Sequence, residues 1–225
     1  MIVEVTEYEL VHAESDGFLK DKAKVHFKTQ AKHLPLVGAF TAGSGVRGRL
    51  IHLAAYEDYD KRESQLLGLE ADPSWQSVQR EASSAFVETA TTILNPTAFS
   101  PIRTNADFDE VIAGREPGAP CWLFELRTYT AIPGKMPNVL KMLVEEGNPL
   151  THQFVEWPVA YFVAETGLAN RVMMLWAYSS LGERARRKAK MLPDPRFQEL
   201  GSRFNPNFSA QQSDFWMPTA FSPLR

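Results

Sequence analysis

Glu125, Arg127 and Tyr129 stand two residues apart in a stretch whose alternation reads as a β-strand. Side chains two apart leave the same face of a strand, so an acid, a guanidinium and a phenol share one surface. An arginine placed this way can hold a carboxylate or an enolate, and a tyrosine can donate to the same group. The structural alternative is an ion-pair network in which Glu125 and Arg127 serve the protein alone. Trp176 and Tyr178 are also two apart, and read either as the wall of a pocket for a flat apolar ligand or as core under a helix. His152 precedes a later strand, at a position that can face a cavity mouth. The catalytic set expected from these residues is Arg127 to stabilise developing negative charge, Tyr129 to orient a substrate and His152 to move a proton. Glu125, Trp176 and Tyr178 are the expected substrate-binding residues.

Other reactive side chains point to less. His12 ends one predicted strand and His52 lies mid-strand between Ile51 and Leu53, with Thr128 and Met174 as their counterparts in the second half. The pair can act as acid and base, with His26 and His33 nearby, but a hydrogen-bonded core histidine is the simpler reading of His52. No ligand spacing supports a metal, so none is expected, and no cofactor. Cys121 lies outside any catalytic cysteine signature and reads as a passive thiol. The run Arg184, Arg186, Arg187, Lys188 and Lys190 reads as a solvated helix face. No phosphate-cradling glycine loop, dinucleotide fingerprint or serine-nucleophile elbow is found.

The bulk numbers exclude some classes. A net charge of −3 over 225 residues gives no reason to expect nucleic acid or an anionic membrane as partner. No apolar run approaches the ~18–20 residues that span a bilayer. The start, Met1-Ile2-Val3-Glu4-Val5, lacks the pattern of a secretory signal and reads as a strand. A single cysteine fits a reducing, cytoplasmic setting.

The elements that must position these residues come twice. Pro96-Thr97-Ala98-Phe99-Ser100-Pro101-Ile102-Arg103 returns as Pro218-Thr219-Ala220-Phe221-Ser222-Pro223-Leu224-Arg225, an offset of 122 that holds without a gap back to Val37 and Val159. Gly45 meets Gly167, Tyr56 meets Tyr178, Arg62 meets Arg184, and Asp72-Pro73 meets Asp194-Pro195. Each half reads strand–helix–strand–strand–helix–strand. First strands are expected at 6–13 and 122–130. Second strands follow at 37–42 and 159–164, and third strands at 49–56 and 171–178. Hairpin turns fall at Gly43-Ser44-Gly45 and Gly167. Second helices start near Tyr59 and Leu181, and the Asp-Pro steps restart them. Last strands lie near 89–99 and 213–221. This is the ferredoxin-like plan, an α+β fold. Each sheet has one face under its helices, and the bare face must find cover. Two tandem modules, 1–106 and 121–225 with a linker over 107–120, can close their antiparallel sheets into one intrachain α/β barrel. Such a chain need not dimerise to close its barrel, although a homo-oligomer remains open.

The second half also carries Phe124-Glu125-Leu126-Arg127-Thr128-Tyr129, Pro133-Gly134-Lys135, Leu175-Trp176-Ala177-Tyr178, Ser180-Leu181-Gly182-Glu183-Arg184 and Asp194-Pro195-Arg196-Phe197. In this order they resemble the NIPSNAP family, within the dimeric α/β-barrel superfamily. The resemblance implies a cavity between sheet and helices. It covers the second half; in the first, Val11, Ala13 and Ala54 are read in place of Arg127, Tyr129 and Trp176, so the polar strand pattern is read as lost there. Related barrel families include cofactor-independent oxygenases, isomerases and haem enzymes. The expected function is therefore binding of a small apolar or aromatic metabolite, with cofactor-independent oxygenase or isomerase chemistry if it is an enzyme. Haem binding would need a histidine in the cavity. The rival is a non-catalytic protein-interaction module that uses its outer helices.

Overall fold

The computed structural model describes residues 1–13, 15–44, 48–114 and 122–225. Along them run eight strands, with helices between all but the hairpin pairs β2–β3 and β6–β7: β1 (Ile2–Leu10), β2 (Leu36–Ala42), β3 (Arg49–Tyr56), β4 (Phe86–Pro96), β5 (Leu123–Ala131), β6 (Trp157–Ala164), β7 (Arg171–Tyr178) and β8 (Phe208–Pro218). All pairings are antiparallel and the ring closes in the order β1-β3-β2-β8-β5-β7-β6-β4. Each half contributes four neighbouring strands, and β2·β8 and β4·β6 join the halves. One chain thus closes the barrel from two ferredoxin-like modules, as the duplication requires.

Strand alternation sorts the residues. Every strand sends apolar side chains inward, among them Val3, Phe40, Leu53, Leu94, Phe124, Phe162, Leu175 and Trp216. Phe40 packs edge-on against Phe124 with ring centroids 5.2 Å apart. The barrel interior is therefore filled core. The outward residues, including Glu125, Arg127, Tyr129, Trp176 and Tyr178, lie under the helices.

The repeated octapeptide is a latch between the halves. Ser100 Oγ accepts from the Tyr161 amide (2.9 Å) and donates to the Ile102 carbonyl (2.7 Å). Ser222 does the same with Ala39 (2.9 Å) and Leu224 (2.6 Å). Each tail satisfies the backbone of the other half's second strand, which explains why the chain keeps this segment twice. It also ends the last strands earlier than expected, because Pro96 and Pro218 lack the amide needed to continue pairing.

The helices obey their caps. Asp58 and Ser180 accept from the amides of Lys61 and Glu183, so helices run from Tyr59–Glu70 and Leu181–Met191. Asp72 and Asp194 cap the helices Pro73–Ala82 and Pro195–Phe204, whose proline sits at the first position. Gly167 turns with φ +80°. The first strand starts earlier than read, at Ile2, while its second-half counterpart starts at Leu123, one residue after the expected 122. The linker reading needs a larger correction. Thr104 and Asp107 form a capping box, and Asn105–Ala113 is a helix whose Phe108 is buried with Ile102 against the barrel core. The 106/107 boundary therefore cuts a helix. Gly45, Cys121 and linker residues 115–120 lie outside the described residues.

Candidate functional site

Glu125 is fully buried on the helix-facing side of β5. Arg184, on the helix Leu181–Met191, grips it with Nε at 2.7 Å from Oε2 and Nη2 at 2.8 Å from Oε1. Ser213 on β8 donates to Oε1 at 2.5 Å. Burial pushes the Glu125 pKa up, but Arg184, Lys188, Ser213 and Arg127 outweigh it and hold it at about 2. Arg127 reaches this carboxylate only at 3.4 Å. Its Nε instead donates to the Tyr129 hydroxyl at 2.8 Å, which leaves that hydroxyl's own proton free to donate onward.

Above this group lies a cavity of about 200 Å³. Arg127, Tyr129, Trp176 and Lys188 line its polar wall, and Leu143, Met174, Leu200 and Phe204 are among its apolar residues. The Arg127 guanidinium stands 4.9 Å from the Trp176 ring centroid, and Lys188 Nζ stands 5.6 Å from it. Lys188 is four residues from Arg184 and so projects from the same helix face. Burial, then the neighbouring Arg127, lowers its pKa to about 8. The solvated-face reading thus holds for exposed Arg186 and Lys190 and fails for Arg184 and Lys188, which turn inward.

Two expected residues stand elsewhere. Tyr178 is buried and is not among the residues lining the cavity. Its pKa is raised by burial and then by Glu125. His152 does not meet Arg127 or Tyr129. It is largely exposed and its Nε2 lies 2.6 Å from the Tyr161 hydroxyl, which also accepts from Trp176 Nε1 at 3.2 Å. That hydroxyl therefore stands between His152 and the pocket wall. Replacing His152 with alanine is expected to cost about 1 kcal/mol of stability, one hydrogen bond's worth, and to leave ligand affinity unchanged. Chemical denaturation and calorimetric titration of the same variant check both halves of that statement.

The register corrects the comparison of the halves. Glu4, Thr6 and Tyr8 pair with Ala54, His52 and Leu50, as Glu125, Arg127 and Tyr129 pair with Trp176, Met174 and Val172. The first-half counterparts of Arg127 and Tyr129 are thus Thr6 and Tyr8, not Val11 and Ala13. The acid and the phenol are kept, and Arg62 Nε binds Glu4 at 2.5 Å as Arg184 binds Glu125. What is lost is Arg127, Trp176 and Lys188, replaced by Thr6, Ala54 and Leu66. His12 is exposed in the turn after β1 and is not joined to His52. His33 pairs with Asp72 at 2.9 Å. His52 is buried, as read, and hydrogen-bonds Gln30 at 2.7 Å.

Sequence reasoning missed Arg184 and Lys188 as partners of the site. The signal was present: Arg62 and Arg184 match across the repeat, Leu66 and Lys188 do not, and both pairs sit four apart on a helix.

The profile of the NIPSNAP family matches residues 3–101 and again residues 124–223. The mouse Protein NipSnap homolog 3B is 26% identical over 99% of this chain and 85% of its own length. A crystal structure of a NIPSNAP family protein of unknown function from Agrobacterium tumefaciens is 31% identical, over 48% of this chain and 96% of that one, with a TM-score of 0.46. A candidate monooxygenase from Fusobacterium nucleatum shares the whole fold at 8% identity, covering 97% of this chain and 92% of its own, TM-score 0.64. An anthrone oxidase-like protein does so at 10% identity, over 96% and 90%, TM-score 0.60. With both halves matched by its profile, the chain belongs to the NIPSNAP family.

Proposed function

We propose that the second-half pocket binds a small apolar or aromatic metabolite carrying an anionic or enolisable oxygen. One observation carries this reading. Three cations, Arg127, Arg184 and Lys188, surround one buried carboxylate, and Arg184 and Ser213 already occupy its oxygens. Arg127 and Lys188 are left as surplus positive charge on the wall of an apolar cavity. Burying uncompensated charge is costly, so the site is completed by an anion. Trp176 offers the flat surface and Tyr129 a free hydroxyl proton.

As an enzyme the site would work without a cofactor. Lys188, in the neutral amine form that a pKa lowered to about 8 makes accessible, takes a proton from the carbon beside a carbonyl and becomes an ammonium. The carbon–hydrogen electron pair moves to the carbonyl oxygen, which Arg127 and Tyr129 hold as an enolate. Reprotonation at another carbon by the Lys188 ammonium is an isomerisation; bonding of the enolate carbon to dioxygen as co-reactant, with that proton passing to the outer oxygen, gives a hydroperoxide whose O–O bond breaks with loss of water to leave a new carbonyl. The base in this reading is Lys188, in place of the His152 that the sequence suggested. A cytoplasmic setting belongs to the same proposal. The fold shared with a candidate monooxygenase and an anthrone oxidase-like protein agrees with this chemistry but does not carry it.

Calorimetric titration with 2-naphthoate, 2-naphthol and 2-methylnaphthalene tests the reading, scored by the loss of signal in an Arg127→Thr variant. The carboxylate is expected to be the preferred Arg127-dependent ligand. Equal binding of all three, or binding indifferent to Arg127, would leave the non-catalytic interaction module in front. The pH dependence has a definite sign. Lys188 is charged below about 8 and loses its proton above it. Affinity for 2-naphthoate is expected to fall about tenfold from pH 7 to pH 9.5, the worth of one charge-assisted hydrogen bond. Lys188→Leu is expected to flatten that profile.

A further inference from the structure

A second cavity lies between the first-half strands and their helices, and at about 470 Å³ it is larger than the first. The register explains the size: Ala54 stands where Trp176 fills the other half. Its walls include Tyr8, His26, Gln30, His52, Trp75 and Phe86. These are aromatic and polar but not cationic. Glu4 and Arg62 neutralise each other at 2.5 Å, and Thr6 and Leu66 replace the two surplus cations. An anion therefore finds no unmatched positive charge here.

The hydrogen bonds define what the wall offers. Gln30 Nε2 donates to the Tyr8 hydroxyl at 3.0 Å, so Gln30 Oε1 is the atom 2.7 Å from His52 Nδ1. An amide oxygen only accepts, so Nδ1 carries the imidazole proton and Nε2 is a bare acceptor. The Tyr8 oxygen, accepting from Gln30, keeps its own proton to donate. His52 Nε2, His26 Nδ1 and Trp75 Nε1 are all buried without a hydrogen-bond partner among the described residues. All three belong to residues that line the cavity, and unsatisfied buried nitrogens are costly unless something else completes them. Burial raises the Tyr8 pKa to about 12 and lowers that of His26 to about 4, so both are neutral near pH 7. The rings are mutually packed, with Tyr8 5.1 Å from His52 and His26 4.9 Å from Trp75 between centroids.

We propose that the first half carries a separate binding site for an uncharged aromatic hydroxyl compound, whose hydroxyl donates to His52 Nε2 and accepts from Trp75 Nε1 or the Tyr8 hydroxyl. The two halves of the duplicated chain have thus divided their ligands by charge: a neutral phenol in the first, an aromatic anion in the second. Tyr8, Gln30 and His52 form a chain that fixes the imidazole tautomer, so the acceptor is set before the ligand arrives. Sequence alone favours His52 as a satisfied core histidine over an acid–base pair with His12; in the structure one of its nitrogens is satisfied and the other is not.

The test uses the whole protein and 2-naphthol as probe, with 2-methylnaphthalene as the probe that lacks the hydroxyl. The other half supplies variants already compatible with these sheet positions: His52→Met, after Met174, and Ala54→Trp, after Trp176. Wild type is expected to bind 2-naphthol at least tenfold more tightly than 2-methylnaphthalene. The His52 Nε2 nitrogen resonance should shift as the site fills. His52→Met should weaken 2-naphthol at least tenfold and Ala54→Trp should abolish it, while 2-naphthoate binding that depends on Arg127 persists. No 2-naphthol binding to wild type, binding without a shift at His52, or unchanged affinity in His52→Met overturns the proposal. Because His52→Met and the resonance shift decide by themselves, a failure of Ala54→Trp to fold does not rescue it.

Discussion

Exchanging Arg127 for threonine and Lys188 for leucine is expected to abolish binding of an aromatic carboxylate to the second half. Both replacements are the residues the first half holds at matching places, Thr6 and Leu66. Each removed cation takes with it a charge-assisted hydrogen bond of about 1.5–3 kcal/mol. Together they correspond to a loss of roughly 10²–10⁴-fold in affinity. The same double variant should not be destabilised, because it removes charges that lack a full partner in the empty protein. A rise in the denaturation midpoint, alongside the lost affinity, is the expected pair of results from urea titration and calorimetry. A fall in stability with affinity retained would mean that Arg127 and Lys188 serve the internal network alone.

Glu125→Gln should produce the largest loss of stability of any single change in the site. The carboxylate is fully buried and is what keeps Arg184, Arg127 and Lys188 together. Removing one member of such a group leaves uncompensated charge inside and costs about 3–5 kcal/mol. Glu4→Gln, which strands Arg62 only, should cost less. Urea denaturation of the two variants gives the comparison, and equal losses would contradict the account of the surplus charge. The acid side carries the same information. The folded Glu125 carboxyl has its pKa depressed to about 2 from an ordinary value of 4.5. Its contribution is therefore complete above pH 4.5 and is lost as pH falls from there towards 2. The slope of stability against pH in that window should be shallower in Glu125→Gln than in wild type.

Much of the architecture could be read from the chain because its signals are local and repeated. The Asp-Pro steps restart helices through an N-cap carboxylate and a proline whose missing amide costs nothing there. The strands of the β2–β3 and β6–β7 hairpins fall where alternation puts them, since a shift of one residue would expose the core face. The helix Asn105–Ala113 falls largely in the stretch that composition marks as linker, because Gly114, Pro117, Gly118 and Pro120 dominate it, while the helix's own signal is a four-residue capping box. The site was harder to read. Alternation correctly put Glu125, Arg127 and Tyr129 on one face, and Trp176 beside them. It gave no means of ranking Arg184 above Arg127 as the partner of Glu125, since Arg184 and Glu125 are 59 residues apart in the chain. His152 has a place before a strand that suggests catalysis, yet as the residue that ends the short helix Asn148–Thr151 it turns onto Tyr161. The first-half pairing of Val11 with Arg127 is five residues out, because the helices between β1 and β2 break the match that Val37 and Val159 anchor, so that match does not carry back to β1. Such a slip is invisible until the strands are paired. With it, the kept residues Glu4 and Tyr8 were overlooked, and so was a cavity whose histidines come from a helix and a strand far apart in sequence.

A crystal structure of the protein grown with 2-naphthoate tests the central claim most directly. The account predicts the carboxylate between Arg127 and Lys188, the ring against Trp176, and Glu125 still held by Arg184 and Ser213. A pocket left empty at saturating ligand, with Arg127 turned fully onto Glu125, would contradict it.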